Sequence, residues 1–312
     1  MSKLFSVSDA AAASFILVVL FRLMILIPRL LRELKGNMTL GHESGVTQTN
    51  SGPLISIIIA AKDESENIEE AAASILASSY KNIELILIDD RSQDNTFELM
   101  SGISRADSRV KVIRVTNLPE GWTGKTNALN HGVQLARGEV YLFSDADAFF
   151  SRNLIQDAFT AFMREKLDLL SLLPSFVDSG FLEKAIYPHM ALGISYFMPL
   201  SEVNDPKKKD SGLASGCFIM IRSEAYARLG GWESFKSEIT EDIAMSKAAK
   251  GSEMRVNVML AGNNLRTTPF ASLRAMTSFW VRTFYGGLNK SATKTLTLLI
   301  NYSSLTTVFA LF

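Results

Sequence analysis

An α/β fold built on a mostly parallel central sheet is what this sequence predicts, and three observations predict it. From Pro53 onward, short apolar runs rich in Ile, Leu and Val alternate with stretches of helical composition, the order that threads parallel strands through crossover helices. Several runs are continuously apolar, as strands buried on both faces are. Two of them end in carboxylates, Asp89-Asp90 after Ile83–Ile88 and Asp145-Ala146-Asp147 after Val140–Phe143. Ligands of α/β sheets lie beyond the carboxyl ends of strands.

The segments follow in order. Ala10–Ile27 is apolar apart from Ser14 and Arg22, close to the ~20 residues of a spanning helix. Pro28 ends it, and Arg29, Arg32 and Lys35 follow where a signal peptide would show a small-residue cleavage site. Residues 1–35 are therefore expected to form a membrane anchor, with the downstream domain on the cytoplasmic side by the positive-inside rule. Residues 36–52, rich in Gly, Ser, Thr and Asn, read as a linker. A catalytic domain is expected over 53–262. Its strands are Leu54–Ala60, Ile83–Ile88, Val110–Val115 and Val140–Phe143, and its helices Glu64–Ala77, Thr96–Ile103, Thr126–Ala136 and Leu154–Arg164. Ala214–Ile221 reads as a further strand and Ile243–Ala249 as a helix headed by Thr240-Glu241-Asp242. Residues 263–292 combine Phe279, Trp280, Phe284 and Tyr285 with Arg274 and Arg282, the composition of an amphipathic helix at a membrane interface. Residues 293–312 read as the start of a C-terminal membrane region.

Composition closes off several function classes. Lys and Arg number 32 against 32 Asp and Glu, so no basic excess points to nucleic acid. The single cysteine, Cys217, excludes an internal disulfide and a cysteine zinc site. Without a histidine partner in view it reads as a small core residue. The loop Asn204–Asp210 with its three lysines is a solvated segment or a weak contact for anionic headgroups.

Five pieces of sequence carry a family resemblance through their order and spacing. They are Leu54-Ile-Ser-Ile-Ile-Ile-Ala-Ala-Lys-Asp-Glu-Ser-Glu-Asn67, Leu87-Ile-Asp-Asp-Arg-Ser-Gln-Asp-Asn-Thr96, Gly124-Lys125 with Ala128-Leu129-Asn130, Asp145-Ala-Asp147, and Thr240-Glu-Asp242. Together they resemble the family 2 glycosyltransferases of GT-A fold. The stretch Leu118-Pro-Glu-Gly-Trp-Thr-Gly-Lys125 is similar to the membrane-bound branch that glycosylates lipids, such as carotenoid, hopanoid-associated and ceramide-type glucosyltransferases.

The resemblance implies a role for each acidic group. Asp63, Glu64 and Asp90 would hold the uracil and ribose of a UDP-sugar, which carboxylates can do by accepting hydrogen bonds. Asp63 and Glu64 serve equally well as the acidic start of a helix, and Asp94 or Asn95 as its cap in the next one. Lys125 would contact the nucleotide, with Trp122 lining the pocket or packing beneath the loop. Asp145 and Asp147, alternate residues leaving a strand, can address one ligand. Their hard oxygens suit Mg²⁺ or Mn²⁺, Asp147 as direct ligand and Asp145 toward ribose or a metal-bound water. Asp242 would be the base that takes the proton of an acceptor hydroxyl, giving inversion, while Glu241 reads as structural in the first helical turn.

Two departures from the family pattern bear on function. Where processive members carry Gln-x-x-Arg-Trp, this chain reads Arg274-Ala-Met-Thr-Ser-Phe-Trp-Val-Arg282, which points away from polysaccharide synthesis. Arg282 or Arg274 would contact the diphosphate or face the membrane. The histidines are His42, His131 and His189, none after Asp242, so no histidine metal ligand is visible. The expected activity is transfer of one sugar from a UDP-sugar to a hydroxyl of a membrane lipid. The alternatives are transfer to a polyprenyl phosphate and a catalytically silent nucleotide-binding membrane protein.

Overall fold

The computed structural model describes residues 52–176 and 198–268, the short stretches 39–41 and 193–195, and scattered positions elsewhere. Its strands are β1 (Ile55–Ala61), β2 (Ile83–Asp90), β3 (Val110–Val115), β4 (Val140–Asp145), β5 (Ala148–Phe150), β6 (Leu169–Leu173), β7 (Ser175–Phe176), β8 (Ile219–Arg222), β9 (Val256–Leu260) and β10 (Leu265–Thr267). The main helices are α1 (Ile68–Leu76), α2 (Thr96–Ala106), α3 (Gly124–Val133), α4 (Leu154–Arg164), α5 (Leu200–Val203), α6 (Ser223–Arg228) and α7 (Glu241–Gly251).

Seven strands form the central sheet in the order β3-β2-β1-β4-β8-β6-β9. All pair in parallel except β8, which runs antiparallel to both β4 and β6. The chain moves outward from β1 to β3 and then returns to β4 on the other side of β1. That reversal opens a crevice between the carboxyl ends of β1 and β4. A smaller sheet, β5-β10-β7, stands beside it.

Both faces of β1 are covered, which explains its unbroken apolar sequence. Ile55, Ile57 and Ile59 pack with Ile68, Ala72 and Ile75 of α1 and Phe159 and Phe162 of α4. Ile58 points the other way, into a cluster with Ala128 and Leu129 of α3 and Met245 and Ala249 of α7. Successive side chains of a strand alternate between faces, so a single Ile-rich run feeds two cores.

The elements depart from expectation at their ends. The parallel ladders continue to Ala61↔Asp89, Asp90↔Val115 and Ala60↔Asp145, so Asp89, Asp90 and Asp145 are strand residues, whereas Asp147 lies in the turn between β4 and β5. Helix α1 begins at Ile68 instead of Glu64, because 63–67 forms a turn tied to the loop after β2. Asp63 stands at φ 56°, its N–H donates to Ser92 Oγ at 3.0 Å, and its Oδ1 accepts from the Gln93 N–H at 2.7 Å. The expected strand over Ala214–Ile221 is confined to Ile219–Arg222. Within the stretch read as a linker, Thr39 bridges Leu260 and Leu40 is buried, its N–H donating to Leu260 O at 2.9 Å. The fold also runs past Gly262, because β10 completes the smaller sheet.

Among the described residues no helix is long and apolar enough to cross a membrane. Apart from Met24 and Leu296, the expected spans over 10–27 and 296–312 lie outside the described residues, as do Arg282 and more than half of 263–292.

Candidate active site

A cleft of about 410 Å³ opens at the carboxyl ends of β1, β2 and β4. Glu64, Asp90, Arg91, Lys125, Asp145 and Asp147 line it, with Gly124 and Lys62 at its edge. Of the described residues expected to contact the donor, Asp63 and Arg274 are absent from this lining; the Asp63 carboxylate closes the loop at Gln93.

The two aspartates ending β2 have separate duties, as strand alternation requires. Asp89 is fully buried and faces Arg114 at 2.9 Å. Asp90 reaches the cleft, where the Arg91 guanidinium grips it with two bonds, 2.8 Å from Nε to Oδ1 and 3.2 Å from Nη2 to Oδ2. Gly124 makes room for this pair, since a Cβ there would lie 2.2 Å from Asp90 Oδ2. Asp94, the expected cap, accepts from the N–H and Oγ1 of Thr96 and from the Ser65 N–H. These bonds hold its carboxyl down at about 2.

Lys125 sits one residue into α3, whose first turn is capped by Thr123 Oγ1 accepting from the Thr126 N–H at 3.2 Å. Its Nζ lies 2.6 Å from Asp145 Oδ1 and 2.7 Å from Glu241 Oε1. Burial opposes the charged ammonium, but Asp145, Glu241 and Asp242 outweigh it and raise its pKa well above the ordinary value. Gly216 lets these groups close up, since a Cβ there would stand 2.7 Å from Lys125 Nζ and 2.9 Å from Asp145 Oδ2. Trp122 packs against the core beneath α3. Cys217 is buried 3.5 Å from Asp145 Oδ2, its thiol pushed up by burial and then by Asp145 and Asp147.

Asp242 accepts hydrogen bonds from the Gly216 N–H at 3.1 Å and from its own helix at the Ile243 N–H, 2.8 Å. Thr240 makes no side-chain cap bond, so the start of α7 is served by Asp242 itself. Burial, then Glu241, raise its carboxyl to about 7 against the pull of Lys125. A carboxylate poised near neutrality can take a proton from a hydroxyl.

Asp147 is raised to about 6, first by burial and then by Asp145, with Glu64 adding to the effect. Glu64 is raised as well, by burial and by Asp145, Asp94 and Asp63 against the bond from Asn67. Thr267 Oγ1 donates to Asp147 Oδ2 at 3.0 Å. Among the described residues no group of three His, Cys, Asp or Glu side chains forms a ready metal site. Mg²⁺ and its like are commonly held by only one or two carboxylates, with water and substrate phosphates completing the shell. Crowded like charges on Asp145, Asp147 and Glu64 fit that arrangement.

Sequence reasoning missed Gly216, Arg91 and Thr267. Arg91 had a signal, a cation directly after the Asp-Asp pair. Thr267 and Gly216 act only through residues far away in the chain, and their own neighbours in sequence reveal nothing of it.

Comparison with known proteins bears on the fold and the family. Beta-monoglucosyldiacylglycerol synthase of Trichormus variabilis is 27% identical over 198 residues, 62% of this chain and 40% of that protein. Poly-beta-1,6-N-acetyl-D-glucosamine synthase of Staphylococcus aureus is 29% identical over 199 residues, 62% of this chain and 44% of that protein. The chain thus matches less than half the length of these curated relatives. The mannosyltransferase PcManGT from Pyrobaculum calidifontis, solved in complex with GDP-Man and Mn²⁺, superposes with a TM-score of 0.61 at 18% identity, covering 88% of this chain and 71% of that one. That likeness shows a GT-A-like fold. A sequence profile described as glycosyl transferase family 2 matches residues 56–230, and the chain belongs to that family.

Proposed function

We propose that this enzyme transfers a sugar from a UDP-sugar to a hydroxyl group of a membrane lipid, with inversion and with the help of a divalent cation. The observation that carries the reading is the pairing of a donor wall, Asp90, Asp145 and Asp147, with a separate carboxyl, Asp242, raised to about 7 and reached through Lys125 and Gly216. The lipid acceptor is supported by the relative named beta-monoglucosyldiacylglycerol synthase. UDP as the carrier is supported by the Staphylococcus aureus TarS structure in complex with UDP-GlcNAc, TM-score 0.52.

Asp90 and Glu64 accept hydrogen bonds from base and ribose. Asp147, with Asp145 nearby, would hold Mg²⁺ or Mn²⁺, which when bound would supply positive charge against the diphosphate. Lys125 adds a fixed positive charge at the same end of the cleft. Asp242 accepts the proton of the acceptor hydroxyl as its oxygen bonds to the anomeric carbon, and the bond to the diphosphate breaks on the opposite face. The cationic cluster Arg29, Arg32 and Lys35 after the apolar 10–27 run supports a catalytic domain on the cytoplasmic face of a membrane.

The test is UDP release by the purified full chain with diacylglycerol, other hydroxyl lipids and a polyprenyl phosphate as acceptors. Release with a hydroxyl lipid supports the reading. Turnover with the phosphate lipid alone replaces it with polyprenyl-phosphate glycosylation.

A further inference from the structure

Two consecutive threonines connect to opposite walls of the cleft, one directly and one through Asn67. Thr267, the last residue of β10, donates from Oγ1 to Asp147 Oδ2 at 3.0 Å. Thr268 donates from Oγ1 to Asn67 Oδ1 at 3.2 Å, and the Asn67 amide donates in turn to Glu64 Oε2 at 2.8 Å. Asp147 follows β4 and Glu64 follows β1, so one dipeptide spans the crevice between these strands.

The backbone that carries the dipeptide is fixed. Thr267 pairs with Ala148, the residue after Asp147, across the antiparallel β10–β5 ladder. Ser151 ties down the preceding turn through two bonds to Asn264, 2.8 Å from its N–H to the carbonyl and 3.0 Å between side chains. Thr267 is itself buried. A valine has nearly its shape and equal preference for a strand. The hydroxyl is therefore the part of the residue that matters to Asp147.

We propose that Thr267 and Thr268 are positioning residues of the donor site, Thr267 setting the rotamer of Asp147 directly and Thr268 setting Glu64 through Asn67. By occupying one oxygen of Asp147, Thr267 aims the other into the cleft. Groups that orient a ligating side chain in this way typically change metal affinity by about 10–100-fold when lost. This inference rests on the donor reading above.

The experiment is calorimetric titration of Mn²⁺ into the full chain in the presence of UDP, for the wild type and for Thr267→Val, Thr267→Ser and Thr268→Val. Thermal unfolding and steady-state kinetics accompany each. Thr267→Val should bind Mn²⁺ about 10–100-fold more weakly and raise the donor KM more than it lowers kcat, while Thr267→Ser restores both. Thr268→Val should weaken UDP binding with an unchanged melting temperature. Unchanged Mn²⁺ affinity in Thr267→Val, or equal losses in the Val and Ser variants, overturns the proposal. If Thr267→Val fails to fold, unaltered UDP affinity in Thr268→Val overturns it instead. A wild-type chain that binds neither UDP nor Mn²⁺ removes the donor reading and the positioning role with it.

Discussion

Lys125 Nζ lies within 2.7 Å of both Asp145 Oδ1 and Glu241 Oε1, joining the end of β4 to the first turn of α7. The ammonium thus connects the carboxylates of the donor wall with the helix that bears Asp242. Replacing it by Met keeps the stem and removes the charge. Lys125→Met is expected to weaken UDP binding and lower kcat/KM by about 10²-fold or more, as loss of a group that stabilises charge growing on the leaving diphosphate does. Calorimetry with UDP beside initial-rate kinetics checks this, and an unchanged kcat/KM refutes it.

Asp242 predicts a pH profile. Its carboxyl is raised to about 7 and must be ionised to accept a proton, so kcat should climb as pH rises through about 7 and level off above it. Asp242→Asn should slow turnover by about 10²–10⁴-fold while UDP affinity changes little. Stability moves the opposite way. A carboxyl raised in the folded state favours folding while protonated and disfavours it once ionised. The Asn variant should therefore melt higher than wild type above pH 7, with the gain fading toward pH 4. Near-wild-type turnover in this variant takes Asp242 out of the mechanism.

Asp147→Asn should lose Mn²⁺ binding and turnover without loss of fold, because in the proposed site Asp147 would be the main point of attachment. Far-ultraviolet circular dichroism and Mn²⁺ titration make the comparison. Full turnover in this variant, or in wild type treated with chelator, refutes the metal assignment.

Away from the cleft, Glu84 is a buried carboxylate that accepts from Ser56 Oγ at 2.7 Å, Lys111 Nζ at 2.9 Å and the Arg137 N–H at 2.7 Å. Burial opposes its ionisation, but these partners win and hold the carboxyl at about 2. The stabilisation is present above the ordinary carboxylate pKa and disappears as pH falls toward 2. Glu84→Gln should cost about 1–3 kcal/mol at pH 7, with a smaller deficit at pH 3. Urea denaturation at the two pH values measures both.

Much of this was readable from local sequence. Continuous Ile-rich runs identify β1 and β2 because burial on both faces leaves no polar alternation to preserve. The aspartates ending β2 and β4 point to the cleft because a parallel sheet exposes carboxyl ends at one edge. What escaped reading depends on residues distant in the chain. Asp63 turns from the cleft because its positive φ closes a loop onto Gln93, which no neighbour in sequence foretells. Glu241 reads as a helix-start acid, yet its partner Lys125 comes from another helix. The strand expected over Ala214–Ile221 shortens because the backbone at Gly216 is drawn off to Asp242 and leaves the ladder.

β8, the one strand that runs antiparallel in the central sheet, separates the groups of the site by their position along the chain. Every group on the donor wall comes from residues 60–147, ahead of β8, whereas Gly216 and Asp242 come from just before it and after it. Running backward, β8 brings its beginning to the rim where its neighbours bring their ends. The proposed donor and acceptor groups are consequently divided along the chain, with Thr267 and Thr268 reaching back to the donor wall from beyond the division. Lys125 is a cross-link over that division, so exchange of segments between relatives is best cut on the acceptor side of it, with the lysine and both of its carboxylate partners retained.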